Sequence, residues 1–152
     1  MSKGDVAKSY FEQGYNCSQA VALAFADEIG MESDTVARLT GGFGGGMGRM
    51  REVCGTVSGT AFVMSALYGY SDPKDNATKT KLYEQIQQVA GEFKDENGSV
   101  VCRELLGLAK NGFDSPQPEK RTEKYYKKRP CGELVKMSAD ILERFIAENS
   151  QK

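Results

Sequence analysis

Cys17, Cys54, Cys102 and Cys131 are the residues with the widest chemical reach in this chain, and they lie 37, 48 and 29 positions apart. That spacing contains no C-x-x-C redox pair and no close zinc-knuckle arrangement, so joint chemistry depends on the fold bringing distant segments together. Thiolates attack disulfides, and a set of them can hold a soft metal. Three uses stand open: thiol/disulfide exchange or electron transfer by the four cysteines, ligation of an iron–sulfur cluster or zinc by the same four, and plain core packing in a non-catalytic binding module. The redox use is the main expectation, and the sequence does not decide whether the protein is an enzyme.

The chain has no histidine. Catalytic Ser-His or Cys-His pairs, His-ligated haem and mixed Cys/His zinc sites are thereby excluded. Proton transfer falls to Asp, Glu, Lys, Tyr or Cys.

The elements that must position the thiols read as helices. Val21, Ala24, Phe25 and Ile29 recur at helical spacing, as do Leu134, Val135, Ile141, Leu142 and Phe145, and no alternating strand stands out. The expected fold is all-α, a single four-cysteine domain over residues 1–152 built as a bundle of about six to eight helices with a glycine-rich inter-helix loop. Helices are expected near 3–14, 17–30, 34–41, 50–69, 74–96, 100–109 and 131–148, with a further one around 119–128.

Each cysteine falls near a helix start. Cys17 follows Asn16, which with Gln19 forms a capping-box pattern; Cys102 falls in a first turn capped by Ser99; Cys131 follows Pro130; Cys54 lies within about the first turn of its helix. Each is also in phase with the apolar side of its helix, so all four thiols are expected to point inward. Helix N-termini and nearby cations favour thiolate over thiol. Arg51 near Cys54, Arg103 beside Cys102, and Lys127, Lys128 and Arg129 before Cys131 supply such cations.

The stretch "GGFGGGMGRMREVCGTVSG" at 41–59 fits neither a dinucleotide-binding nor a P-loop register, and a helical pattern precedes it where both need a strand. Its plain use is a tight helix connection. Its chemical use is an amide nest for an anion or thiolate, with Gly44, Gly45, Gly46, Arg49, Arg51 and Gly55 supporting Cys54 as the most reactive thiol.

Net charge is −1 with a sequence pI near 5.6. That gives no footprint for nucleic acid, and the basic run "EKRTEKYYKKRPC" reads as a solvated helix face. The sequence shows neither a secretory signal nor a run of membrane-spanning length, so a cytoplasmic location with mostly reduced thiols is expected, without membrane insertion. The partner would be a redox protein or a small molecule; the oligomeric state is not legible.

Four segments in order, "YNCSQAVALAF", "GGFGGGMGRMREVCGTVSG", "VCRELLG" and "RPCGELV", resemble the cysteine segments of the C-GCAxxG-C-C family of redox-active proteins, and the resemblance covers most of the chain. Thr56 stands where that family usually has alanine. The resemblance implies a redox role for Cys17, Cys54, Cys102 and Cys131 and an electron-transfer context. With no C-x-x-C-H, the chain cannot attach a c-type haem itself.

Overall fold

Local caps and buried faces explain most of the helices. In the computed structural model, which describes residues 1–108 and 113–150, we number the helices α1 (Lys3–Glu12), α2 (Cys17–Ala24), α3 (Ser33–Thr40), α4 (Gly55–Tyr68), α5 (Asn76–Asn97), α6 (Cys102–Leu105), α7 (Glu123–Lys128) and α8 (Cys131–Ser150). Ser2 with Asp5 and Asn16 with Gln19 form complete capping boxes for α1 and α2, and Asp75 and Thr122 cap α5 and α7. Gly98, at φ +85°, closes α5 in the left-handed conformation that glycine adopts without a Cβ penalty.

These eight helices make the all-α bundle, with no strand among the described residues. The long α8 packs on α1, α2, α4 and α5, and α2 packs on α1, α3 and α4. Phe25, Met64, Phe93, Val135 and Leu142 fill the core between them. Where α2 crosses α4, a Cβ at Gly59 would sit 2.7 Å from the Ser18 carbonyl oxygen, so the small residue sets how closely the helices approach. Among the described residues no helix is long and apolar enough to cross a membrane.

Some boundaries differ from the sequence reading. The second helix ends at Ala24 and the chain turns on to Gly30, which does take a left-handed φ of +66°. Asp34 lies in the first turn of α3, with Glu32 at the cap position. The helix expected from 50 begins at Gly55, because Arg49 and Arg51 are left-handed and Val53 pairs in a single antiparallel bridge with Val101. That bridge also delays α6 to Cys102, with Val101 at its cap; Ser99 instead accepts from the Val101 amide and donates to Glu104. That helix ends at Leu105, with Leu106 at its cap, short of the expected 109, a position outside the described residues.

Candidate functional site

All four cysteines line one cavity of about 410 Å³. Each arrives there for a local reason. Cys17 is the first residue of α2, immediately after the Asn16 cap, and the same asparagine fastens the glycine stretch by donating from Nδ2 to the Gly41 carbonyl at 2.9 Å. Cys131 opens α8 after Pro130, whose ring suits a helix start and whose carbonyl accepts the first bond of α8, from Leu134.

Cys54 and Cys102 are placed by the Val53–Val101 bridge. Cys54 N–H donates to the Val100 carbonyl at 2.8 Å, and Cys102 N–H to the Glu52 carbonyl at 2.6 Å. Side chains alternate along paired segments. With Val53 and Val101 on one side and Val53 43% exposed, Cys54 and Cys102 fall on the other as diagonal neighbours. Both are buried, at 5% and 7% exposure. Cys54 then occupies the N-cap position of the 14-residue α4.

The glycine stretch folds into a compact wall of this cavity. Gly45, Gly46, Met47, Gly48, Arg49 and Arg51 all have left-handed φ values between +56° and +70°. The amides of Gly48, Arg49, Met50, Arg51 and Glu52 donate to carbonyls between 42 and 47, so these donors are spent inside the loop. The Gly45 amide faces Cys17. Gly46 is pressed between the two cysteine segments: a Cβ there would lie 2.6 Å from Cys102 Cβ, 2.7 Å from Arg51 Cα and 2.7 Å from the Glu52 amide nitrogen. Gly44 packs on the Asn16 side chain, and the space where Gly55 would carry a Cβ is taken by the Cys17 sulfur.

The residues grouped around Cys54 in the sequence reading thus attend two other thiols, Cys17 and Cys102, or none. Arg51 donates from Nη1 to Cys102 Sγ at 3.6 Å and from Nε to Asp114 at 2.7 Å. Gly45 and Gly55 attend Cys17. Arg49 holds the Ser115 carbonyl at 2.6 Å and lies 3.9 Å from Asp114. Arg103 turns away from Cys102 to the Met50 carbonyl and Glu52. The group in contact with Cys54 is the Thr56 hydroxyl, 3.2 Å from its sulfur.

Burial dominates the thiol chemistry. It pushes Cys17 far above the ordinary thiol range, and among the neighbouring sulfurs Cys54 adds most to the rise. Cys131 is pushed up to about 11 by burial, then by Cys54 and Cys102, with Arg129 opposing. Cys54 is raised by burial, while the Thr56 hydroxyl and the first amides of α4 pull the other way without completing a regular cap. Cys54 therefore influences Cys17 and Cys131 more than any other thiol does, and is itself influenced by Cys102.

Two expected results follow. A thiol kept neutral by the fold stabilises the protein below the unfolded value of about 8.5, and that stability is lost as pH rises toward the folded value. For the partly exposed Cys131 the slope should stay below about 1.4 kcal/mol per pH unit. Thermal unfolding followed from pH 8.5 to 11 should fall less steeply for Cys131→Ser than for the parent. Thr56→Val removes the hydroxyl at nearly constant volume, so alkylation of Cys54 should slow about three- to tenfold, the worth of one ordinary hydrogen bond, while Thr56→Ser should keep the parent rate.

Among the described residues no three Cys, Asp or Glu side chains come together to hold a metal ion. The four thiols line the cavity without forming such a ligand set.

The sequence reading missed much of the remaining wall. Arg121, Pro116, Pro118 and Glu119 line the cavity; Arg129, expected as a cation near Cys131, lines it too and pairs with Glu119. Two arginines of the run read as a solvated helix face thus belong to the site. Arg121 donates to the Phe11 and Tyr15 carbonyls, each at 3.1 Å, and stacks 4.4 Å over the Phe11 ring.

Comparison with curated proteins and with solved structures finds no match. A family model does match residues 15–145, and it spans all four thiols of the cavity together with the glycine wall. With four cysteines from four helix starts meeting in one cavity and that model covering most of the chain, the protein belongs to the family described as "Putative redox-active protein (C_GCAxxG_C_C)".

Proposed function

We propose that this protein is a thiol/disulfide redox protein whose cysteines exchange two electrons with a small molecule held in their common cavity. The observation that carries the reading is the shared cavity: four free thiols from positions 17 to 131 face one space of about 410 Å³. That volume lies in the range of small-molecule sites. A cytoplasmic setting, where dithiols are kept reduced, is part of the same proposal.

In this reading Cys54 attacks. It holds the N-cap position of α4, where the helix dipole favours an anion, and Thr56 is within hydrogen-bonding distance of the sulfur. Its thiolate attacks one sulfur of the substrate disulfide, forming a mixed disulfide and releasing the other half as a thiolate that takes up a proton. Cys102 resolves: with Arg51 donating to its sulfur, its thiolate attacks Cys54 Sγ, forms the internal disulfide and expels the second half of the substrate. Two protein thiols become one disulfide, and one substrate disulfide becomes two thiols.

The test is stoichiometric. Reduced protein mixed anaerobically with one equivalent of a small disulfide should lose two titratable thiols and release two equivalents of small thiol. Retention of all four protein thiols under conditions that oxidise a free dithiol would overturn the proposal.

A further inference from the structure

The cavity wall carries more positive charge than its acids compensate. Arg49, Arg51, Arg121 and Arg129 line it, against Glu119 as its acidic residue among those described. Arg49 and Arg51 share the single carboxylate of Asp114, and Arg129 is paired with Glu119. Arg121 bonds two neutral carbonyls and stacks on aromatic rings, with no ion pair among the described residues. Four guanidinium groups thus face two carboxylates, in a chain whose net charge is −1. Phe11, Leu105, Leu106 and Leu134 supply apolar walls that keep this excess poorly screened.

The covering segment bears on the size of the ligand. Asp114 and Ser115 are tied to Arg49 and Arg51, and Glu119 to Arg129, so the proline-containing stretch between them lies along the cavity as a wall. A protein disulfide would have to displace these ties; a small molecule would not.

We infer that the substrate of this site is a low-molecular-weight disulfide carrying carboxylates, drawn to the arginine side of the cavity while its sulfur–sulfur bond meets the cysteines. The inference rests on the thiol-exchange reading and adds the charge and size of the substrate. The electron balance is that of the exchange already written, two thiols oxidised for one disulfide reduced.

Three symmetric disulfides of similar length test it: 3,3′-dithiodipropionate with two carboxylates, 2-hydroxyethyl disulfide without charge, and cystamine with two ammonium groups. Each is mixed with reduced protein, quenched with acid and analysed by mass spectrometry, and each rate is divided by that of a simple thiol under the same conditions. At low ionic strength the normalised rates should fall in the order dianion, neutral, dication, with the ends separated by at least about tenfold. The spread should collapse in 1 M salt, where the screening length is about 3 Å.

Arg49→Gln should bring the dianion-to-neutral ratio down toward one, and Arg49→Lys should largely keep it, with circular dichroism confirming that both fold. If exchange proceeds but the three reagents react alike, or cystamine reacts fastest, the anionic substrate class is overturned and thiol exchange survives. If none of the three yields a protein disulfide, both fall.

Discussion

Cys54→Ser should abolish the exchange: the rate of small-disulfide reduction by the prereduced protein should fall by at least about a hundredfold, because a serine hydroxyl is a far weaker nucleophile than a cysteine sulfur, even one whose pKa is raised by burial. Cys54 has the strongest electrostatic influence among the thiols on both Cys17 and Cys131, shares a side of the Val53–Val101 bridge with Cys102, and occupies the N-cap position of α4. Cys102→Ser should behave differently. With the attacking sulfur intact and the resolving one gone, the protein should stop at the mixed disulfide, visible as an added half-substrate on Cys54. Timed alkylation at neutral pH should label Cys54 ahead of Cys17 and Cys131. Slowest labelling at Cys54 would remove it from the attacking role.

Gly46→Ala should be the most damaging single methyl in the glycine stretch. The residue is left-handed at φ +67°, and its added Cβ would meet the backbone of Arg51 and Glu52 as well as Cys102 Cβ. The left-handed conformation costs a non-glycine residue about 1–2 kcal/mol, and overpacking adds about 1–3 kcal/mol. The melting temperature should fall by roughly 5–15 °C for a chain of this size. Gly48→Ala is the matched control. Its φ of +56° incurs the same conformational cost, but nothing lies within 4 Å of the added carbon. Equal melting temperatures for the two variants would mean that Gly46 is not the packing point between the two cysteine segments.

How much of this was legible in the sequence depends on the range of the interactions involved. Cys17 at the start of α2 could be read from Asn16 and Gln19 because a capping box is local, and the inward phase of Cys17 and Cys131 follows from helical spacing, whereas Cys54 and Cys102 are turned inward by the Val53–Val101 bridge. The end of α5 at Gly98 was local in the same way. The start of α4 was not, because the left-handed residues at 45–49 and 51 are fixed by carbonyls and amides folding back on one another, and arginine has no intrinsic preference for that conformation.

The pairing of Arg51 with Cys102 was equally hidden. It depends on Val53 meeting Val101, a contact between segments 48 positions apart that carries no periodic signature in either segment. Arg121 was legible as a charge but not as a cavity residue, whereas Arg129 was legible as a cation near Cys131 from its closeness in sequence. What turns them inward is the chain before α7, whose prolines and polar residues show no helical period to orient them.

The most direct measurement is peptide mapping of the protein after oxidation by one equivalent of a small disulfide, with free thiols blocked before digestion. An internal linkage between Cys54 and Cys102, with Cys17 and Cys131 recovered alkylated, is the expected result. Recovery of all four cysteines alkylated, or of linkages only between separate chains, would contradict the claim that this cavity is a two-electron thiol site.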